Sequence, residues 1–121
     1  MRYADLLFRV PLMSKARPRS SPRGGRPYMP PAYVKWKSNL RGQMGEWWTE
    51  EPLPCIAVLT LVFSGPARGD LDNLAGAVLD AGNGLIWTDD RVNVITCITA
   101  KWKKAKQADS SIYMKLIWET K

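Results

Sequence analysis

The sequence predicts a single α+β domain, residues 1–121, with a mixed β-sheet packed against two helices in the order βαβαββ. Three observations carry this. The chain has 121 residues, about the length of one compact domain, which typically runs to roughly 100–150. An uninterrupted apolar and β-branched run at 55–64, bounded by Pro54 and by Gly65-Pro66, has the signature of a central strand covered on both faces. Leu71, Leu74, Ala75, Val78 and Leu79 recur at i, i+3, i+4, i+7 and i+8, one helical stripe facing a core.

The remaining elements follow in chain order. Residues 5–12 predict a short first strand closed by Pro11. The stretch 14–31 holds five prolines, two glycines and five bases with no acid, which is a basic loop or loose hairpin. Pro30 and Pro31 open a helix over 32–48, with Val34, Leu40, Met44, Trp47 and Trp48 as its apolar positions and Gly42 and Gly45 weakening its second half. After the central strand, the striped helix is stopped by Gly82 and Gly84 and shows Asp72, Asn73, Gly76 and Asp80 on its polar face. A turn at Trp87-Thr88-Asp89-Asp90 leads into a strand at 92–102, with Val92, Val94, Thr96, Ile98, Ala100 and Trp102 on one face. A lysine-rich turn then precedes a last strand in which Ile112, Met114, Leu116 and Trp118 alternate with more polar residues. Trp102 and Trp118 belong to the core on this pattern; Trp47-Trp48 fits the core or, secondarily, a contact between two copies. Cys55 and Cys97, inside apolar runs, are expected as buried reduced thiols.

Composition narrows the chemistry. The chain contains no histidine, so Ser-His-Asp and Cys-His hydrolysis and histidine-ligated zinc are excluded. No apolar run approaches the roughly 18–20 residues of a membrane span, so no membrane is expected, and Asp5, Arg9 and Pro11 interrupt what would be the core of a signal peptide. A reducing, cytoplasmic setting follows. The net charge of +7 is a remainder: residues 1–41 hold ten Lys/Arg against one acid, 42–100 hold two bases against eight acids, and 101–121 hold six lysines against two acids. A basic frame surrounds an acidic centre. Lys/Arg that neutralise phosphates bind nucleic acid in a salt-dependent way, but a pure binding module gains nothing from carboxylates facing the same ligand.

Those carboxylates are Asp70 and Asp72 at the start of the striped helix, Asp80 near its end, and Asp89 and Asp90 in the turn beyond. One aspartate at a helix N-terminus is explained as an N-cap. A D-x-D pair followed by W-x-D-D is not. At an effective dielectric near 20, two carboxylates about 4 Å apart repel by roughly 4 kcal/mol, so a converging set protonates or binds metal. Hard divalent cations favour such oxygen clusters, and Mg²⁺ combines one or two carboxylates with water and phosphate oxygens. Metal-assisted phosphodiester hydrolysis is one chemistry this allows; D-x-D pairs also serve glycosyl and phosphate transfer.

The combination Gly69-Asp70-Leu71-Asp72-Asn73-Leu74, then Leu79-Asp80, then Trp87-Thr88-Asp89-Asp90-Arg91-Val92 resembles the RusA family of Holliday-junction resolvases, with its D-x-D-N, L/F-D and W-x-D-D-x-V pattern. Lys15-Ala16-Arg17-Pro18-Arg19 and Tyr28-Met29-Pro30 are similar to that family's K-x-R-P-R loop and Y-x-P segment. The resemblance implies a RusA-like fold and a homodimeric, Mg²⁺-dependent endonuclease, with Mn²⁺ as a substitute ion, that nicks four-way or branched DNA symmetrically in recombination and repair. It also implies the cytoplasm of a bacterium or of a phage-infected host. Carried over residue by residue, it implies metal binding by Asp70, Asp72 and Asp90, a weaker second metal contact from Asp89, and supporting roles for Asn73 and for Asp80, the latter orienting or helix-capping.

One departure stands out. The best-studied branch has a catalytic lysine four residues after the second aspartate, where this chain has Gly76. Lys101 is the first replacement, with Arg17 and Arg68 in reserve. DNA contacts are expected from Lys15, Arg17, Arg19, Arg23, Arg26, Arg68, Lys103 and Lys104 on phosphates, and from Tyr28 and Trp36 on bases or sugars. Two alternatives remain: a cleavage-impaired junction- or branched-DNA-binding protein, and a metal-dependent nuclease for flaps or RNA.

Overall fold

The computed structural model describes residues 1–21 and 24–120. Its elements are β1 (Arg2–Phe8), α1 (Pro31–Trp47), β2 (Val58–Gly65), α2 (Leu71–Gly82), β3 (Ile98–Lys104) and β4 (Ser111–Trp118), with a 3-10 turn at Gln107–Asp109 before β4. This is the expected βαβαββ order. The sheet runs β1-β4-β2-β3 and is mixed: β4 is antiparallel to both β1 and β2, whereas β2 and β3, joined through α2, are parallel.

Both helices lie on one face of the sheet. The register places Leu59, Leu61 and Phe63 of β2 beside Leu116, Met114 and Ile112 of β4, and these six join the helix residues Leu40, Met44, Leu74 and Val78 in one buried core. Alternation sends the intervening residues, among them Tyr3, Asp5, Val62, Lys101, Tyr113 and Lys115, to the other face. Alternate residues of β2 are therefore only half-buried; the strand is interior to the sheet but covered on one face, not two.

Several boundaries move for identifiable reasons. The first strand spans Arg2–Phe8, earlier than 5–12, because Pro11 has no N–H to offer a ladder; Val10 and Leu12 beyond it still reach the core. The third strand begins at Ile98, not at 92, since Val94 and Ile95 both donate their N–H to the Arg91 carbonyl and close a turn that leaves Val92 87% exposed. Trp102 is 39% exposed rather than core, because β3 is an edge strand; its indole N–H donates to the Gly65 carbonyl at 3.1 Å. Cys55 and Cys97 are free and exposed, not buried, as they precede β2 and β3 at the sheet's rim. In α1 the buried stripe is Tyr33, Trp36, Leu40 and Met44, with Val34 turned outward. Trp47 and Trp48 pack within the chain, against Phe8 and Trp118 respectively.

α2 is held to α1 by polar residues spaced one helical turn apart. The Tyr33 hydroxyl donates to Asp80 at 2.8 Å, the Lys37 ammonium pairs with the same carboxylate oxygen at 3.2 Å, and Arg41 donates to the carbonyls of Ala81 at 2.7 Å and Asn83 at 2.9 Å. A cation on the last carbonyls satisfies orphan acceptors and complements the helix dipole. Beyond α2, Trp87 is fully buried, with its ring packed on Gly82 where no side chain would fit, and its indole N–H shared between the Leu79 carbonyl and the Asn83 amide oxygen. The tryptophan of the W-x-D-D segment is thus a structural pin.

Candidate active site

The N-terminal end of α2 differs from this locked end. Asp70 occupies the N-cap position with extended backbone, and its carboxylate makes no capping bond. Asp72 follows in the first turn, where one carboxylate oxygen accepts the Asn73 N–H at 2.9 Å. Both are exposed, and among the described residues neither has an ion-pair partner. The helix leaves Leu71 39% exposed, because the core-facing stripe is Leu74, Ala77, Val78 and Ala81 rather than one beginning at Leu71. Leu71 instead joins Asp72, Ala75, Gly76, Leu79, Ile98 and Ala100 in lining an open groove of about 500 Å³ between α2 and β3.

The basic loop runs onto this end of the helix. The Ser14 side chain packs on Gly69, the Lys15 N–H donates to the Asn73 carbonyl at 2.9 Å, and the Lys15 side chain crosses α2 at Gly76. Further out, Arg19 and Tyr28 exchange two backbone hydrogen bonds at 2.7 and 2.8 Å and close the loop into a hairpin-like arm. Arg17, Arg19, Arg26 and Tyr28 are exposed on it, and Arg23, expected beside them, lies outside the described residues. Trp36 is buried and donates to the Pro11 carbonyl at 2.8 Å, so it is a core residue and not a base-stacking one.

The second acidic pair is arranged differently. Asp89 receives the backbone N–H, Nε and an Nη of Arg91 at 2.9, 2.8 and 2.6 Å, and these hydrogen bonds hold its carboxyl below the usual carboxylate range. Asp90, beside it, is exposed and has no ion-pair partner among the described residues. Among the described residues no three of Asp, Glu, Cys or His come together as a metal-binding group, so Asp90 is not gathered with Asp70 and Asp72 in this conformation. Asp80 faces α1: burial pushes its carboxyl up, but hydrogen bonds from Tyr33 and Lys37 and the charges of Lys37 and Lys15 outweigh that and lower it. The same contact, with burial as its larger cause, raises the Tyr33 hydroxyl far above its ordinary value.

The donor set suits a hard cation. It offers unpaired carboxylate oxygens at Asp70 and Asp72 and no imidazole, and Mg²⁺ takes one or two carboxylates with the remaining positions left to water and phosphate. Of the expected cationic residues, Arg68 lies at the mouth of a second pocket with Gly69, Leu71, Leu74 and Trp102. Lys101 and Lys103 occupy β3 positions opposite Val62 and Ser64, on the sheet face away from α2, and Lys104 ends the strand. Sequence reasoning missed two features. The Tyr33, Lys37 and Arg41 series had a signal in its i, i+4, i+8 spacing; the seating of Lys15 on Gly76, a contact distant in sequence, had none.

A family model described as endodeoxyribonuclease RusA matches residues 10–115. No curated protein matches the chain.

Proposed function

The chain belongs to the RusA endodeoxyribonuclease family, and from that premise we propose that it resolves Holliday junctions by Mg²⁺-dependent hydrolysis of phosphodiester bonds. The observation that carries the reading is the seating of the basic arm, at Ser14 and Lys15, on the end of α2 that bears Asp70 and Asp72. Cations for the DNA backbone and unpaired carboxylates for a divalent ion thereby meet at one groove. Asp70 and Asp72 would hold the ion, with Asp90 as a third ligand brought by its loop. Such an ion, when bound, makes a water more acidic and offsets charge on the phosphorus.

The protein's own groups supply the rest. Arg17, Arg19 and Arg26 bind phosphates of the arms flanking the cut, Tyr28 offers a stacking surface, and Arg68 lies close enough to the groove to hold a strand there. Two copies related by a two-fold axis would present two sites to the two symmetry-related strands of a junction. No helix among the described residues is long and apolar enough to cross a membrane, and we place the protein with DNA in the cytoplasm.

Incubation with synthetic four-way junction, flap, linear duplex and RNA in Mg²⁺, followed by mapping of nicks, tests this. Paired nicks at symmetric positions in the junction are expected. Binding without nicks would identify a cleavage-impaired junction-binding protein, and preferential cutting of flaps or RNA would replace the substrate.

A further inference from the structure

Asp72, Gly76 and Asp80 are spaced i, i+4 and i+8 along α2 and so share one helix face. The outer two carry negative charge and the middle one has no side chain. Lys15 fills that gap: its Cδ and Cβ lie 3.3 and 3.6 Å from the point where a Cβ on Gly76 would stand. Its position is fixed from both sides. Ser14 packs on Gly69, whose φ of 67° belongs to the left-handed region and which leaves no space for a side chain, and the Lys15 N–H is bonded to the Asn73 carbonyl at 2.9 Å.

Of the other cations near the groove, Arg68 lines the neighbouring pocket with Gly69 and Trp102 rather than the face of Asp72 and Gly76, and the rest are committed or face elsewhere. Lys37 pairs with Asp80 and Arg91 with Asp89; Lys101 and Lys103 stand on the opposite sheet face. Lys15 has no ion-pair partner among the described residues, although its charge is near enough to Asp80 to lower that carboxyl. Gly76 also lines the groove that contains Asp72.

We propose that Lys15, delivered by the arm across Gly76, is a catalytic cation of this site, its ammonium contacting a non-bridging oxygen of the scissile phosphate beside Asp72. This rests on the endonuclease reading above. In the reaction, a water oxygen bonds to phosphorus and one P–O ester bond breaks. One water proton ends on the departing deoxyribose oxygen and the other is lost to solvent. Lys15 keeps its own proton throughout and acts by charge, as preorganised donors do at a developing oxyanion. An arm-borne cation also couples chemistry to docking, because the arm must be seated on α2 for the ammonium to be in place.

The test is single-turnover nicking of a four-way junction in Mg²⁺, together with metal-free junction binding across a salt series. Lys15→Ala, and Lys15→Met which keeps the aliphatic packing over Gly76, are expected to lower the nicking rate by about 100-fold or more. Each should reduce the salt slope of binding by about 0.9, the equivalent of one phosphate contact. Adding Gly76→Lys to Lys15→Ala, so that a lysine arises from the helix at the same place, should restore at least tenfold of the loss. The proposal is overturned if Lys15→Met nicks at the wild-type rate, if its nicking falls only as far as its binding, or if the double variant is no faster than Lys15→Ala. A wild type that nicks no branched DNA sinks the endonuclease reading and this inference with it; a fully active Lys15→Met variant sinks this inference alone.

Discussion

The two ends of α2 are built to opposite specifications. At the C-terminal end polar groups are paired one after another: Arg41 covers the carbonyls of Ala81 and Asn83, Tyr33 and Lys37 share Asp80, and Trp87 is inserted over Gly82 with its N–H bonded. At the N-terminal end Asp70 and Asp72 carry negative charge into solvent with no ion-pair partner among the described residues, and an arm of basic residues is seated beside them. Like charges without cations contribute nothing to holding a fold together, which is the reason we propose this end, beside a basic arm, as the one that meets a ligand. The motif that looks uniform in sequence divides accordingly: L-D and the tryptophan of W-x-D-D hold the helix, whereas D-x-D-N is the part that the proposed function assigns to the site.

Substitutions at the locked end should damage stability, beginning with the largest effect. Trp87→Ala empties a fully buried site and breaks an indole hydrogen bond, which is expected to cost about 3–5 kcal/mol in urea unfolding. Gly82→Ala drives a methyl into the Trp87 ring and should cost about 1–3 kcal/mol by the same measurement. Arg41→Ala uncaps α2 and should cost about 1–2 kcal/mol.

Tyr33→Phe is smaller, about 1 kcal/mol, and carries a pH signature. Because the folded Asp80 carboxyl lies below its ordinary value of 3.8, its contribution is fully present above that pH and is lost as pH falls through the lower, folded value. Unfolding at a series of acidic pH values should show a shallower loss in Tyr33→Phe than in the wild type. At the open end, Arg17→Ala and Arg19→Ala should leave unfolding unchanged while each lowers the salt slope of junction binding by about 0.9.

The sequence made some of this division legible. The βαβαββ order follows from periodicity, since the stripe of α2 and the alternation of β4 are set locally by what each face must bury. The D-x-D pair stands out because an N-cap requires one aspartate and not two. Edges were harder. The start of β3 depends on Val94 and Ile95 turning back to the Arg91 carbonyl, a backbone turn that the residue types only permit; the exposure of Trp102 depends on β3 being the edge strand, and that of both cysteines on where β2 and β3 begin. That Trp36 rather than Val34 faces the core turns on helix phase, which a weak stripe leaves undetermined. The docking of the arm had no local signature: it rests on a backbone N–H, a serine on Gly69 and the missing side chain of Gly76, residues far apart in the chain.

The most direct test of the central claim is Asp72→Asn, measured for both unfolding and junction nicking in Mg²⁺. Stability within about 0.5 kcal/mol of wild type, unchanged or tighter junction binding, and a nicking rate lower by about a thousandfold or more, equivalent to roughly 4 kcal/mol of barrier, are expected. A variant that nicks at the wild-type rate, or one that unfolds as readily as Trp87→Ala, would contradict the assignment of this end of α2 to catalysis.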